Sequence, residues 1–268
     1  MSELHSPQST DPSSVNHSPP NTAGVMLNSR SNLPAVPSRW SDLVIYLVGG
    51  FGLYSVATIF FALIFKKIDI FATFTLYLLN FCCLGGSVYL WGVRRGKTSW
   101  AKMGFFPPVW KLRWLWIALV ASALLIPVRG LLSLLAEYLL GGGTQGLQAR
   151  MDIFTANSGF SWLNFGLSFL GIGIIAPISE ELYFRGLLHG WFMGRFSSIP
   201  RVLLSATLFA LAHYDTLPVA VSAFVLGAVN AVAYERSKSI WLPIAFHMIT
   251  NSFAVIVLYL GMLYLGTS

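Results

Sequence analysis

The sequence predicts an all-α fold, a polytopic transmembrane bundle of about seven helices. Hydrophobic residues make up 55% of the chain and charged residues only 10%, whereas soluble domains average about 25% charged residues. The mean hydropathy is +0.67, and the many Trp and Tyr residues are typical of helices flanked by interfacial aromatic belts. The long apolar runs lack strict alternation, and lipid leaves open sheet edges unsatisfied, so helices are the only plausible spans.

Apolar stretches long enough to cross a bilayer recur along the chain from Asp42 onward. One crossing needs about 20 helical residues. The fifth and sixth stretches are short, so each is expected either to span or to lie half-buried among its neighbours, which leaves about six to eight crossings. The predicted spans are 42–65, 70–92, 113–139, 162–193, 201–214, 217–234 and 239–264.

The N-terminal segment differs in composition from the rest of the chain. Residues 1–40 are rich in Ser, Pro and Asn and have no apolar period, so they predict a disordered tail. This segment has no apolar core of the kind that a signal peptide needs. Residues 41–268 are therefore predicted to form one transmembrane helical domain.

Basic residues predict the orientation of this multi-pass protein in the membrane. With a cytoplasmic N-terminus and seven spans, twelve Lys and Arg residues face the cytoplasm and three face the other side, and a cluster at 94–113 dominates. This asymmetry satisfies the positive-inside rule. The net charge of +7 is thus read as a topology signal. No nucleic-acid-binding motif is present, so the expected partner is the lipid bilayer and not nucleic acid.

Two adjacent carboxylates, Glu180 and Glu181, lie inside an apolar segment. Ionisable groups at such positions are costly, and they usually face a partner or a water-filled cavity. Glu181 and Arg185 are four residues apart on one helical face, where a carboxylate and a guanidinium can pair in a bidentate fork. Glu180 points about 100° away, so it can face a cavity and act as a general base.

Two later segments add polar groups at a similar depth. His213 and His247 each lie in an apolar stretch, and Asn251 follows His247 by one helical turn. At the helical rise these residues and Glu180 all lie about 12–18 Å from the cytoplasmic ends of their helices. His213 can help Glu180 polarise a water molecule. His247 and Asn251 offer two donors on one face, which suits an oxyanion hole.

Structural roles are the main alternative for each residue taken alone. A Glu–Arg pair such as Glu181 with Arg185 is commonly a brace within a membrane helix, and a buried histidine is more often a packing residue than a catalyst. We keep the packing interpretation for His189, near the predicted end of its helix. Pro177 cannot donate a hydrogen bond to the carbonyl four residues back, so the helix is expected to bend there and admit water.

Three short motifs resemble a known family when they are taken together. They are Glu-Glu-x-x-x-Arg at 180–185, Phe-x-x-x-His at 209–213 and His-x-x-x-Asn at 247–251. In this order and within membrane helices, they are similar to the CAAX prenyl endopeptidase and bacteriocin-processing family of intramembrane proteases, also called CPBP or Abi, which includes proteins like lysostaphin resistance protein A. The resemblance covers roughly residues 160–262, the expected catalytic core.

The resemblance implies that peptide bonds are hydrolysed within the membrane. Glu180 with His213 would activate water, His247 with Asn251 would stabilise the oxyanion, and Glu181, Arg185 and Phe209 would support the site. The cofactor is left open between none and a divalent metal such as zinc. A metal would be held by Glu180, His213 and His247, although the chain lacks the His-Glu-x-x-His pattern of zinc proteases.

The function expected from this resemblance is that of an intramembrane endopeptidase. Its substrates would be membrane-associated peptides or proteins, either prenylated CAAX-type tails or leader peptides. The alternative is a non-catalytic membrane scaffold or immunity/regulatory protein on the same fold. A proton-coupled transporter, in which Glu and His form a relay, is disfavoured because no inverted repeat is evident.

Overall fold

The part of the chain that the computed structural model describes contains seven helices of 15 residues or more, in the predicted order. The structure describes residues 39–65, 69–105, 112–139, 148, 151–152, 154–156, 159–213 and 216–265. The predicted disordered tail lies outside these ranges except for its last two residues. The helices are α1 (Trp40–Ile64), α2 (Ile70–Val93), α3 (Leu112–Leu139), α4 (Trp162–Met193), α5 (Ser198–Ala212), α6 (Leu217–Ser237) and α7 (Trp241–Leu265).

The predicted fold class is confirmed as an all-α, multi-pass membrane bundle. Within the described ranges there is no strand, and six helices are long and apolar enough to cross a membrane. The exception is α5, whose 15 residues span roughly 22 Å, less than the hydrocarbon core of about 30 Å. Of the two predicted short segments, therefore, only α5 is too short to cross.

Local sequence signals set the helix boundaries. Asp69, Ser161 and Thr216 accept hydrogen bonds from the first turns of α2, α4 and α6, as helix N-caps do. At the other end of α6, Lys238 adopts a left-handed conformation with φ of 56°, which is a common way for a helix to end. This stop lies beyond the predicted end at 234, so α6 is three residues longer than expected.

Two π-helical stretches interrupt α4 on either side of its carboxylates. They are Phe169–Ile175 and Leu182–His189, and the α-helical turns between them are Ala176–Glu181. Pro177 removes one backbone donor from the helix, and a locally wider turn accommodates such a defect. The irregularity expected around Pro177 is therefore present as widened turns of the helix, which are frequent at functional sites.

The core of the bundle surrounds the second half of α4. Every residue from Leu182 to His189 is buried, and this stretch packs in one apolar cluster with residues of α1, α2, α5, α6 and α7. The Tyr183 hydroxyl donates a hydrogen bond of 2.8 Å to the carbonyl of Tyr46, which joins α4 to α1. By contrast, α1 and α3 leave most of their apolar side chains exposed, as lipid-facing helices do.

An ionic cluster joins α4, α5 and α6 at one end of the bundle. The Glu235 carboxylate accepts hydrogen bonds from Arg201 Nε and Nη2 and from the Ser198 hydroxyl, and its Oε1 atom lies 3.0 Å from His189 Nε2. The packing role expected for His189 agrees with this contact. The cluster fixes α5 against its neighbours although α5 is too short to span.

Candidate active site

Glu180 lies on the wall of a cavity between the helices. Its side chain is buried in the middle of α4, and the cavity has a volume of about 810 Å³, within the range of ligand pockets in proteins. Apolar side chains form most of the wall. The polar residues that line it near Glu180 belong to several helices, and include Tyr54, Asn80, His213, His247 and Asn251.

His213 directs its ring at Glu180 from the end of α5. The helix stops at Ala212, one residue before it, whereas the predicted span continued to 214. His213 Nδ1 lies 2.8 Å from the carbonyl oxygen of Phe209, and its Nε2 lies 3.5 Å from Glu180 Oε2. Phe209 supports the ring as well, since the two ring centroids are 4.4 Å apart.

His247 approaches the same carboxylate from α7. Its Nε2 atom lies 3.9 Å from Glu180 Oε2, and its Nδ1 lies 2.8 Å from Glu181 Oε1. The ring is almost completely buried and packs edge-on against Phe209, with centroids 5.7 Å apart. The structure therefore brings together Glu180, His213 and His247 from three separate helices.

The hydrogen bonds of the two histidines indicate the tautomer of each neutral ring. In both rings the nitrogen that faces Glu180 is the one without a hydrogen. Each Nδ1 lies beside an oxygen that accepts, the Phe209 carbonyl for His213 and the Glu181 carboxylate for His247. Nδ1 therefore holds the hydrogen, and Nε2 of the neutral ring is an acceptor. Two imidazole nitrogens thus face the same carboxylate oxygen, an arrangement that favours a hydrogen donor such as water beside them.

Glu181 pairs with Arg185 as expected, but it is also the centre of a larger buried hydrogen-bond network. Its Oε1 atom accepts from Arg185 Nη1 at 3.1 Å, from Asn230 Nδ2 at 2.8 Å and from His247 Nδ1. The expected bidentate fork is absent, because Arg185 Nη2 donates instead to the Gly227 carbonyl at 2.8 Å. The two terminal nitrogens of the buried guanidinium thus have separate acceptors, as buried donors usually do.

Sequence reasoning missed Asn230. The residue is completely buried on α6, within an apolar run, and that position is itself a signal, since polar groups in membrane helices usually have a buried partner. Phe209, by contrast, was identified, and it has one further contact. The Arg185 guanidinium lies 4.7 Å from the centre of its ring, within cation–π distance.

Asn251 lies on the cavity wall one turn beyond His247. Its Nδ2 atom donates a hydrogen bond of 3.2 Å to the carbonyl of Ile172, in the first π-helical stretch of α4. An amide nitrogen has two hydrogens, so this bond uses only one of them. The predicted pair of oxyanion donors therefore shares one wall, with Asn251 oriented by α4 and His247 oriented by Glu181.

The three residues considered as metal ligands do not have the geometry of a metal site. Within the described ranges, no group of three His, Cys, Asp or Glu is arranged to hold a metal ion. The Glu180–His247 separation of 3.9 Å exceeds the distance of about 3.3 Å between neighbouring donors on a tetrahedral zinc ion.

Comparison with known proteins agrees with the family suggested by the motifs. Residues 162–253 match the family model described as Type II CAAX prenyl endopeptidase Rce1-like. We call this segment, which is similar to that family, the Rce1-like segment. It includes all seven residues of the three motifs, and it runs from the start of α4 into α7. The predicted resemblance is confirmed over this segment, which is about the extent expected.

Two of the relatives of the chain are bacterial proteins named as a membrane peptidase or protease. The chain is 28% identical to "Putative membrane peptidase YdiL" of Bacillus subtilis (strain 168) over 159 residues, which are 59% of this chain and 54% of that protein. It is 33% identical to "Membrane-embedded CAAX protease MroQ" of Staphylococcus aureus (strain USA300) over 91 residues, 32% of this chain and 36% of that protein.

A third relative is an uncharacterized 24.3 kDa protein of Escherichia coli, 35% identical over 86 residues, which are 31% of this chain and 40% of that protein. The matched regions thus span about half or less of the length of these curated relatives. No solved structure matches the chain.

Proposed function

We propose that this protein is an intramembrane endopeptidase that uses Glu180 to activate water. One observation supports the proposal above all others. Two imidazole nitrogens, one from α7 and one from the residue after α5, lie within 3.9 Å of one oxygen of the buried Glu180 carboxylate, on the wall of a cavity inside a membrane bundle. The Rce1-like segment and the names of two relatives agree with the same chemistry.

The acceptor cluster orients the nucleophile. A water molecule donates its two hydrogens to two of the three acceptors, and its oxygen lone pair then points toward the substrate carbonyl. As the new C–O bond forms, the carbonyl π electrons move onto its oxygen and one water proton passes to Glu180. Glu180 then gives that proton to the leaving amine as the C–N bond breaks, which is general acid–base catalysis by one group.

His247 and Asn251 would stabilise the oxyanion in the tetrahedral intermediate. Asn251 has a second amide hydrogen beyond the one bonded to Ile172. His247 donates from Nε2 only when its ring is doubly protonated, and in that form its Nδ1 keeps the bond to Glu181. Such preorganised donors typically contribute about 10²–10³-fold to the rate.

The network behind His247 has a positioning role in this proposal. Glu181, Arg185 and Asn230 hold one another by the hydrogen bonds described above, and none of them is needed to touch substrate. Together they fix the ring of His247 and its tautomer. An error of about 1 Å in such a group can cost about 10²-fold in rate.

The position of the cavity suggests the class of substrate. A site enclosed by membrane helices receives peptides that are already in the bilayer or anchored to it, such as prenylated CAAX-type tails, leader peptides or membrane proteins. We propose that the catalysis is metal-independent, since the three candidate ligands lack metal-site geometry. We further propose a cytoplasmic N-terminus from the distribution of Lys and Arg.

The variant Glu180→Gln tests the proposal most directly. The side chain keeps its size but loses its basicity, so cleavage of a membrane-anchored peptide reporter by the purified protein in liposomes should fall by about 10²–10⁴-fold. Asp69→Asn is the matched control, because it removes one negative charge at a helix N-cap and Asn caps as well as Asp. Normal cleavage by the Glu180 variant would refute the assignment.

A further inference from the structure

A second carboxylate lines the same cavity and has no part in the chemistry proposed above. Glu137 lies on α3, its residue is only 5% exposed, and it forms part of the cavity wall. Its Oε2 atom has no hydrogen-bond partner within the described part of the chain. A buried carboxylate in apolar surroundings is costly unless a cation or a proton compensates it.

The other polar residues on the same face of α3 as Glu137 have hydrogen-bond partners. Arg129, Ser133 and Glu137 are four residues apart and all line the cavity. Arg129 Nε donates to the Ser222 hydroxyl at 2.9 Å, and the Ser133 hydroxyl donates to the Pro218 carbonyl at 3.2 Å. These two bonds attach α3 to α6. No bond of that kind is present for Glu137 among the described residues.

The distance from Glu137 to the proposed catalytic cluster, Glu180, His213 and His247, can be estimated from the position of α3 relative to α7. The Ser122 and Thr250 hydroxyls are 3.4 Å apart, and Thr250 is adjacent to Asn251. Ser122 thus marks the level of the catalytic cluster on α3. Glu137 is fifteen residues further along, which is roughly 22 Å at helical rise. An extended peptide covers that distance in about six residues.

We infer that Glu137 binds a basic side chain of the peptide substrate, about six residues from the scissile bond. The inference rests on the proposed peptidase function and adds a substrate class to it. A lysine ammonium or arginine guanidinium would compensate the buried carboxylate, and the low polarity of the surrounding wall would make the pairing selective. The cavity would then hold substrate at two points, the reacting carbonyl at Glu180 and the cation at Glu137.

Two matched reporters test the inference in liposomes. They are membrane peptides that are identical except at one position, which is Lys in one reporter and Met in the other. That position is varied from five to eight residues from the scissile bond, on either side of it. Wild-type protein should cleave the Lys reporter about tenfold faster at the best position. Glu137→Gln should bring the ratio of the Lys and Met cleavage rates close to one. Glu137→Lys should instead cleave fastest a third reporter that has Glu at the same position. Asp69→Asn should keep the wild-type ratio.

A binding measurement separates this inference from the proposed function. Fluorescent Lys and Met peptides are titrated into Glu180→Gln protein, with and without Glu137→Gln. Lys-selective binding that needs Glu137 would support the inference, and a wild-type protein that cleaves neither reporter would then refute the peptidase alone. Cleavage with an unchanged ratio in Glu137→Gln would overturn the inference alone. Selectivity for Lys that is absent in wild type and appears only in Arg150→Gln, a residue outside the described ranges, would overturn it too, by assigning the cation to this chain.

Discussion

His247 Nδ1 lies 2.8 Å from Oε1 of Glu181, so a histidine connects the second carboxylate of the pair to the surroundings of the first. The two neighbouring carboxylates consequently have different surroundings. Glu180 faces the cavity and the Nε2 atoms of two histidines, whereas three buried donors surround one oxygen of Glu181. Under the proposed function, one helix thus supplies a reactive group and a positioning group from adjacent positions.

Asn230→Ala should slow catalysis without changing substrate affinity. The substitution removes one of the three hydrogen bonds to Glu181 Oε1, and a buried bond of this kind contributes about 1 kcal/mol to stability. Because Asn230 does not face the cavity, we expect kcat to fall by about tenfold while KM stays near the wild-type value. Steady-state kinetics with a peptide reporter measure both.

The matched control for this prediction is Asn164→Ala. Asn164 donates to the carbonyl of Gly159 at an exposed position near the start of α4, so its loss should leave kcat unchanged. If Asn230→Ala lowered only the melting temperature and left kcat at the wild-type value, Asn230 would be a packing residue and not a positioning residue.

The sequence predicts the local parts of this site and fails where the contacts depend on helix rotation. The Glu181–Arg185 pair follows from a spacing of four residues on one helix, and the similar depth of Glu180, His213 and His247 follows from helical rise. The bond from Asn230 to Glu181 depends on how α6 is rotated against α4, and no pattern within α6 specifies that angle.

Two further features show the same limit. The end of α5 at Ala212 could not be distinguished from a longer apolar span, because the residues on both sides of it are apolar or aromatic. Glu137 belongs to no motif, and only its position on the cavity wall indicates that it could contact a substrate. The fold class was predictable because composition and span length are properties of the chain, independent of packing.

His213→Asn and His213→Gln should differ in activity. His213 Nδ1 is held by the Phe209 carbonyl, and Nε2 faces Glu180. Asn has a polar atom near the position of Nδ1 only, whereas the longer Gln side chain places an oxygen near the position of Nε2. We expect a loss of about 10²–10⁴-fold for Asn and a smaller loss for Gln, measured as kcat/KM. Equal losses would contradict a role for Nε2 as an acceptor.

Chelators should leave the activity unchanged. Treatment of the purified protein with EDTA and then with 1,10-phenanthroline removes bound divalent metals, and the proposed chemistry needs only side chains and water. The measurement is the initial rate of reporter cleavage before and after dialysis against each chelator. A loss of rate that added zinc restores would show that Glu180, His213 and His247 rearrange around a metal.

Glu235→Gln should destabilise the protein without altering the chemistry of the remaining folded molecules. Glu235 accepts from Arg201 and Ser198 and lies beside the buried His189, so the neutral amide leaves a partly buried guanidinium without its counter-ion. Breaking such a pair costs about 3–5 kcal/mol when it is fully buried and less here, because the Arg201 side chain is 18% exposed. The cluster is the main polar link between α5 and its neighbours, so the loss should appear in unfolding of the whole bundle.

Thermal unfolding in detergent measures this effect, and the variant should melt well below wild type while its kcat per folded molecule is unchanged. Arg195→Gln serves as the control, since it removes a cation from the same end of the bundle but one that stacks on Trp191 and makes no ion pair with Glu235. The interpretation fails if both variants melt at the same temperature. In that case general charge balance, and not the specific contacts of Glu235, would hold α5 in place.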